Sequence, residues 1–226
     1  MAKTYRAFLS YSHGDTDAGD QIHTAVENYR VPRDLAGRLG PFGPIPSGLL
    51  RPVFRDRFDL AAGHSLNEEI EAALKTSDAL IVVCSPRAAK SRYVDEEIRR
   101  FKLLGKSQRI YPIIVDGEPG DPTKDCFPEN LRRNFDREGN PTTEITEPIA
   151  ADLREKADGP ELAKLKLIAG LLGVPLDELR KRELVEQKRR QRRIFAVAVS
   201  MAILAVAATV FAGYSQILAN RLAKSL

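Results

Sequence analysis

The sequence predicts an α/β fold, an open parallel sheet with helices on both faces, followed by further helices and one transmembrane helix. Three observations predict it. Short β-rich apolar runs alternate with helical stretches in the order strand, helix, strand, helix, strand, helix, strand, the pattern of a parallel sheet covered on both sides. The run 78–84 (DALIVVC) is apolar without alternation, as a central strand buried on both faces has to be. The stretch 194–214 carries no charge, and at 1.5 Å per residue it reaches about the 30 Å of a bilayer core.

Residues 5–11 (YRAFLSY) are the first strand, and Ser12, His13, Gly14 and Asp15 turn the chain into a helix over 17–29 with Ile22, Val26 and Tyr29 on one face. Four prolines and several glycines make 31–50 a long irregular connection, of a length that is uncommon inside a compact domain and often functional. Residues 52–54 are a brief second strand. The second helix covers 67–75, with Ser65 as its N-cap and Glu68 completing a capping box. The strand 78–84 ends at Ser85 and Pro86, the third helix covers 92–104, and the fourth strand is 109–115. Pro112 inside that strand asks for a bulge or an edge position.

From 116 to 147 the composition is that of turns, with one turn of helix near 130–134 and no visible fifth strand. Helices follow over 161–172 and 176–191, the first with an apolar face of Leu162, Leu165, Ile168, Leu171 and Leu172.

The chain divides accordingly into an α/β domain over 1–135, a helical extension over 136–180, a basic segment over 181–193, the apolar span 194–214 and a short tail over 215–226. The net charge is +4, and seven Lys or Arg against two Glu fall within 181–193. A basic run abutting an apolar span favours an anionic lipid surface over nucleic acid, and the positive-inside rule then places the N-terminal domain in the cytoplasm of a single-pass membrane protein. The apolar run 7–9 is too short for a signal peptide core.

Ligands in such sheets bind beyond the C-terminal ends of the strands, which marks 10–17, 55–66 and 85–97 as the candidate segments. Tyr93 and Glu97 lie four apart on the third helix and share a face. Arg55, Asp56, Arg57 and Asp59 crowd the loop after the second strand, either pairing with one another or offering an arginine to phosphate. The chain has no GxGxxG or Walker motif, no supported Ser–His–Asp arrangement and no metal-ligand spacing among its three histidines and two cysteines.

The segments AFLSYSHGD at 7–15, VFRDRFDLAAG at 53–63, LIVVCSP at 80–86 and SRYVDEEI at 91–98 together resemble a Toll/interleukin receptor (TIR) domain of the bacterial type, over residues 4–135. The resemblance implies a flavodoxin-like sheet. It also implies one of two activities: hydrolysis of NAD+ with release of nicotinamide, in some members with cyclisation of the ADP-ribose, or a non-enzymatic membrane-tethered scaffold acting by homotypic assembly. Enzymes of the family carry on the third helix a tryptophan, a small or aliphatic residue, two variable residues and the catalytic glutamate. Tyr93, Val94, Asp95, Glu96 and Glu97 stand at those positions, so Glu97 takes the catalytic role and a tyrosine replaces the tryptophan. Ser10, Tyr11, Arg55 and Tyr93 are the implied contacts to NAD+, which is substrate rather than cofactor, with no metal. Other TIR domains are the implied partners, as a homo-oligomer formed on activation in signalling or bacterial immunity, and the loop 55–66 is the implied assembly element.

Overall fold

The computed structural model describes residues 4–40, 43–55, 66–136, 139–182, 191–192, 195–201 and 204. Strands β1 (Ala7–Ser10), β2 (Val53–Arg55), β3 (Leu80–Cys84), β4 (Ile110–Ile114) and β5 (Ala151–Asp152) form one sheet in the order β2-β1-β3-β4-β5. Every neighbouring pair is parallel. That is the flavodoxin-like order with its switch point between β1 and β3.

All residues of β1 and β3 are buried, which explains why neither shows the alternation of a half-exposed strand. Phe8 lies in register with Phe54 and Leu80, and Ser10 with Val82. Since side chains alternate across a strand, Phe8, Ser10 and Val82 point to one face, and Leu9 and Ile81 to the other. Helices α2 (Leu66–Thr76) and α3 (Arg92–Phe101) cover the first face, where Ala73, Leu74, Val94, Ile98 and Phe101 close a core over Phe8, Phe54, Leu80 and Val82. Each large side chain so buried contributes roughly 1.5–3 kcal/mol.

Helices α1 (Thr16–Glu27) and α4 (Gly159–Leu172) touch each other and cover the opposite face. Tyr111, in register with Ile81, packs against Gly170 of α4 so closely that a Cβ there would lie 2.6 Å from its ring. Helix α4 stops at Gly173 (φ 65°), with Gly173 N–H bonded to Gly170 O and Val174 N–H to Ala169 O. This is a Schellman ending, which needs a left-handed residue after the helix.

Several boundaries differ from expectation. A fifth strand exists, two residues long, and β4 meets it only at Ile113 and Ile114. Residues 116–147, read as turns, contain the antiparallel ribbon Arg133–Phe135 with Pro141–Ile145. The third helix is regular only to Phe101. Beyond it the turn widens through Lys102–Lys106, and Gly105 reverses the chain at φ 74°. The irregular 31–50 connection includes a short antiparallel pairing of Leu39–Gly40 with Gly43–Pro44. Ser65, expected as an N-cap, and residues 56–65 of the expected mobile loop lie outside the described residues.

The chain separates into two compact units, 1–176 and 177–226. In the second, 177–182, 191–192, 195–201 and 204 are helical, with an ion pair one turn apart between Glu178 and Arg182. Here the transmembrane expectation is corrected. Among the described residues no helix is long and apolar enough to cross a membrane. The described helical run 195–201 reaches about 10 Å, against the roughly 30 Å of a bilayer core. The rest of 194–214 and the tail 215–226 lie outside the described residues. The lipid partner, the juxtamembrane role of 181–193, the single-pass localisation and the cytoplasmic placement of the N-terminal domain all rested on that helix and fall with it.

Candidate functional site

Helix α3 begins at Ser91, whose hydroxyl accepts the Val94 N–H at 3.4 Å, an ordinary N-cap. From there Val94, Glu97, Ile98 and Phe101 are buried at i, i+3, i+4 and i+7. One member of this core-facing stripe is therefore a carboxylate, 7 % exposed. A buried carboxylate must be hydrogen-bonded or pay a large desolvation cost. The sheet supplies the donor. Ser10 lies two residues beyond Phe8 on the same face of β1 and is fully buried, and its Oγ donates to Glu97 Oε2 at 2.5 Å. The neighbour Glu96 lies off the stripe and makes an ordinary surface pair with Arg100 at 2.9 Å and Arg99 at 3.5 Å. Two adjacent glutamates thus have opposite environments, and only one sits at the strand ends.

A second buried carboxylate lies close by in sequence to Ser10. Asp15 closes the one-turn helix His13–Asp15 and is 6 % exposed. Its Oδ2 accepts from Ser85 Oγ at 2.6 Å and its Oδ1 from Arg87 Nη1 at 3.1 Å. Ser85 also caps the short helix Pro86–Ala89, accepting from Arg87 N and Ala88 N at 3.2 and 3.0 Å. The loop after β1 is thereby tied to the loop after β3. At the other flank Arg55, the last residue of β2, pairs with Asp20 of α1. The Tyr11 ring lies over α1 at Gly19, where a Cβ would come within 3.2 Å of it.

Of the sequence-predicted residues, the structure brings Ser10 and Glu97 into direct contact. Tyr93, one turn before Glu97, is 73 % exposed. Tyr11 and Arg55 both face α1. Asp15, Asp20, Ser85 and Arg87 are not among the sequence-predicted site residues. Asp15 and Ser85 read from sequence as a turn and a strand end, and only the pairing of β1 with β3 brings the loops that carry them together.

Asp95, also on α3, accepts from Asn130 N at 2.7 Å and from Asn130 Nδ2 at 2.6 Å. Burial pushes its carboxyl up from the ordinary value, and the Asn130 bonds oppose this. The effect is to brace the start of α3 against the helix Glu129–Arg132. Burial raises the Cys84 thiol well above its usual value and Cys126 to about 11, so neither supplies a thiolate near neutrality. Among the described residues no group of His, Cys, Asp or Glu could hold a metal ion.

Residues 47–156 match the family model of the TIR domain, a stretch that includes β2 to β5, α2, α3 and Glu97. The chain is also similar to the NAD(+) hydrolase ApTIR of Actinoplanes sp., at 30% identity over 228 residues. That alignment takes in 92% of this chain and 29% of the relative, so the chain spans less than a third of the relative's length. The matched stretch is 110 of the 226 residues, and the open parallel sheet with flanking helices, to which it contributes every strand but β1, agrees with a TIR-like fold.

Proposed function

We propose that the chain is an NAD+ glycohydrolase that breaks the bond between nicotinamide and ribose, with Glu97 as the carboxylate that faces the ribose. The observation that carries this reading is the buried Glu97 carboxylate, held by Ser10 Oγ at 2.5 Å where β1 ends. A core stripe has no packing use for a charge, and buried, specifically partnered carboxylates at strand ends are the usual furniture of reactive sites.

The chemistry needs little beyond such a group. As the C1′–N bond lengthens, its electron pair goes to nicotinamide, which leaves as a neutral ring and requires no general acid. The ribose becomes oxocarbenium-like, and a fixed anion beside it stabilises the charge that develops there. Water then adds at C1′ and a proton is lost, leaving ADP-ribose; in a cyclising enzyme an adenine nitrogen of the same molecule takes the place of water. The Ser10 bond fixes the carboxylate before substrate arrives, so no reorganisation is spent at the reaction itself. Ser10, Tyr11 and Arg55 flank the end of β1, and Tyr93 offers an aromatic surface one turn from Glu97.

A second reading, assembly without chemistry, draws on the 73 % exposure of Tyr93, since surface aromatic rings serve readily as interface anchors. Nicotinamide release from NAD+ by the purified full-length chain, followed chromatographically over a range of protein concentrations, separates the two. The hydrolase reading expects release that falls at least about 100-fold in Glu97→Gln. Undiminished release in that variant would remove Glu97 from the reaction. No release by folded wild-type protein at any concentration would favour assembly.

A further inference from the structure

The hydrolase reading assigns no group to the phosphates of its substrate, and the structure holds one arginine prepared for them. Arg87 Nη1 donates to Asp15 Oδ1 at 3.1 Å and to the Gly14 carbonyl at 3.0 Å. The Asp15 side chain is 4 % exposed, whereas that of Arg87 is 64 % exposed. The anchor is therefore buried and the arginine side chain is not. Gly14 is part of the fit, because a Cβ there would stand 2.6 Å from Arg87 Cδ. Ser85 Oγ holds the other oxygen of Asp15 and caps the turn that bears Arg87. An exposed ion pair formed for stability contributes little and has no need of a buried carboxylate. This one costs the burial of Asp15 and fixes the arginine at the C-terminal ends of β1 and β3, where ligands of such sheets bind.

A guanidinium has five donors in a rigid fork. Nη1 makes both contacts here, and Nε and Nη2 make no bond to a described residue. On a side chain that is mostly exposed, these donors form an edge of the kind that meets phosphate oxygens in pairs. We propose that Arg87 binds the pyrophosphate of a nicotinamide dinucleotide, with Asp15, Ser85 and Gly14 as the positioning residues that present it. The inference rests on the hydrolase reading for the identity of the dinucleotide, but it makes a separate claim about binding.

Calorimetric titration of the full-length chain with ADP-ribose, and with adenosine as the phosphate-free control, tests it. Arg87→Ala is expected to weaken ADP-ribose at least tenfold, with adenosine shifted much less. Arg87→Lys restores charge without the fork and is expected to recover only part of the loss. Asp15→Asn, which keeps the shape of the anchor and removes its charge, is expected to fall between wild type and Arg87→Ala. In turnover, the loss of kcat/KM in Arg87→Ala should come through KM and be at least tenfold larger for NAD+ than for nicotinamide riboside. Folded Arg87→Ala that binds ADP-ribose as wild type does, or a wild type that binds none, overturns the inference. Wild type that binds ADP-ribose through Arg87 and releases no nicotinamide overturns the hydrolase reading and leaves this one standing.

Discussion

Removing the Ser10 hydroxyl should cost stability in a way that depends on Glu97. Ser10 is fully buried and Glu97 7 % exposed, so the 2.5 Å bond between them is shielded from solvent competition. A hydrogen bond to a charged group contributes about 1.5–3 kcal/mol net. Alanine has no hydroxyl to desolvate, and water can approach Glu97 at its exposed edge, so the expected loss in Ser10→Ala is about 1–2 kcal/mol. In a Glu97→Ala background the hydroxyl has lost this acceptor, and deleting it should cost almost nothing. The double-mutant cycle therefore predicts a coupling of about 1–2 kcal/mol. With no tryptophan in the chain, urea unfolding of the four proteins is best followed by far-ultraviolet circular dichroism. A coupling below about 0.5 kcal/mol, the scatter of independent sites, would refute the claim that Ser10 holds Glu97.

Three further outcomes are expected. Phe101→Ala, at a fully buried position at the end of the α3 stripe, should lower stability by about 3–5 kcal/mol in the same urea assay. Gly170→Ala places a Cβ 2.6 Å from the Tyr111 ring, and this overpacking should cost about 1–3 kcal/mol; a neutral result would mean that α4 can shift along the sheet. The Arg132 guanidinium holds the Asp125 carboxyl down at about 2. A carboxyl depressed on folding stabilises the protein above its unfolded value, near 3.9, and loses that contribution as pH falls toward the folded value. Stability should therefore decline between about pH 4 and pH 2, and the decline should be shallower in Arg132→Leu; an identical acid limb in the variant would refute the assignment.

How far the sequence reaches is set by burial and by separation along the chain. Strands β1 and β3 are legible because full burial leaves an uninterrupted apolar run. The ribbon is not, because Pro141–Ile145 is largely exposed and its residues carry no burial alternation to read. Strand β5 is two residues long, too short for any period. Residues 194–214 show the opposite failure: uniform apolarity predicted a membrane-spanning helix, and none is found among the described residues. Pro112 is instructive in another way. It disfavours an interior strand, and β4 does acquire its outer neighbour only from Ile113 onward, so the missing N–H coincides with the stretch where β4 is still an edge.

The site follows the same logic. In the sequence Glu97 is read with Tyr93, four residues before it, and its role comes from the resemblance; the structure separates the two, leaving Tyr93 exposed and setting Glu97 in the buried stripe with Val94, Ile98 and Phe101. Its partner is not visible, since Ser10 lies 87 residues away. What joins them is register: Phe8 opposite Leu80 puts Ser10 opposite Val82, on the face that α3 covers. The adjacent ends of β1 and β3 likewise bring Asp15 to Ser85, 70 residues apart, where the two side chains bond. A buried acid in an apolar helical stripe therefore asks for a donor, and here the strand that the helix covers provides it two residues beyond Phe8.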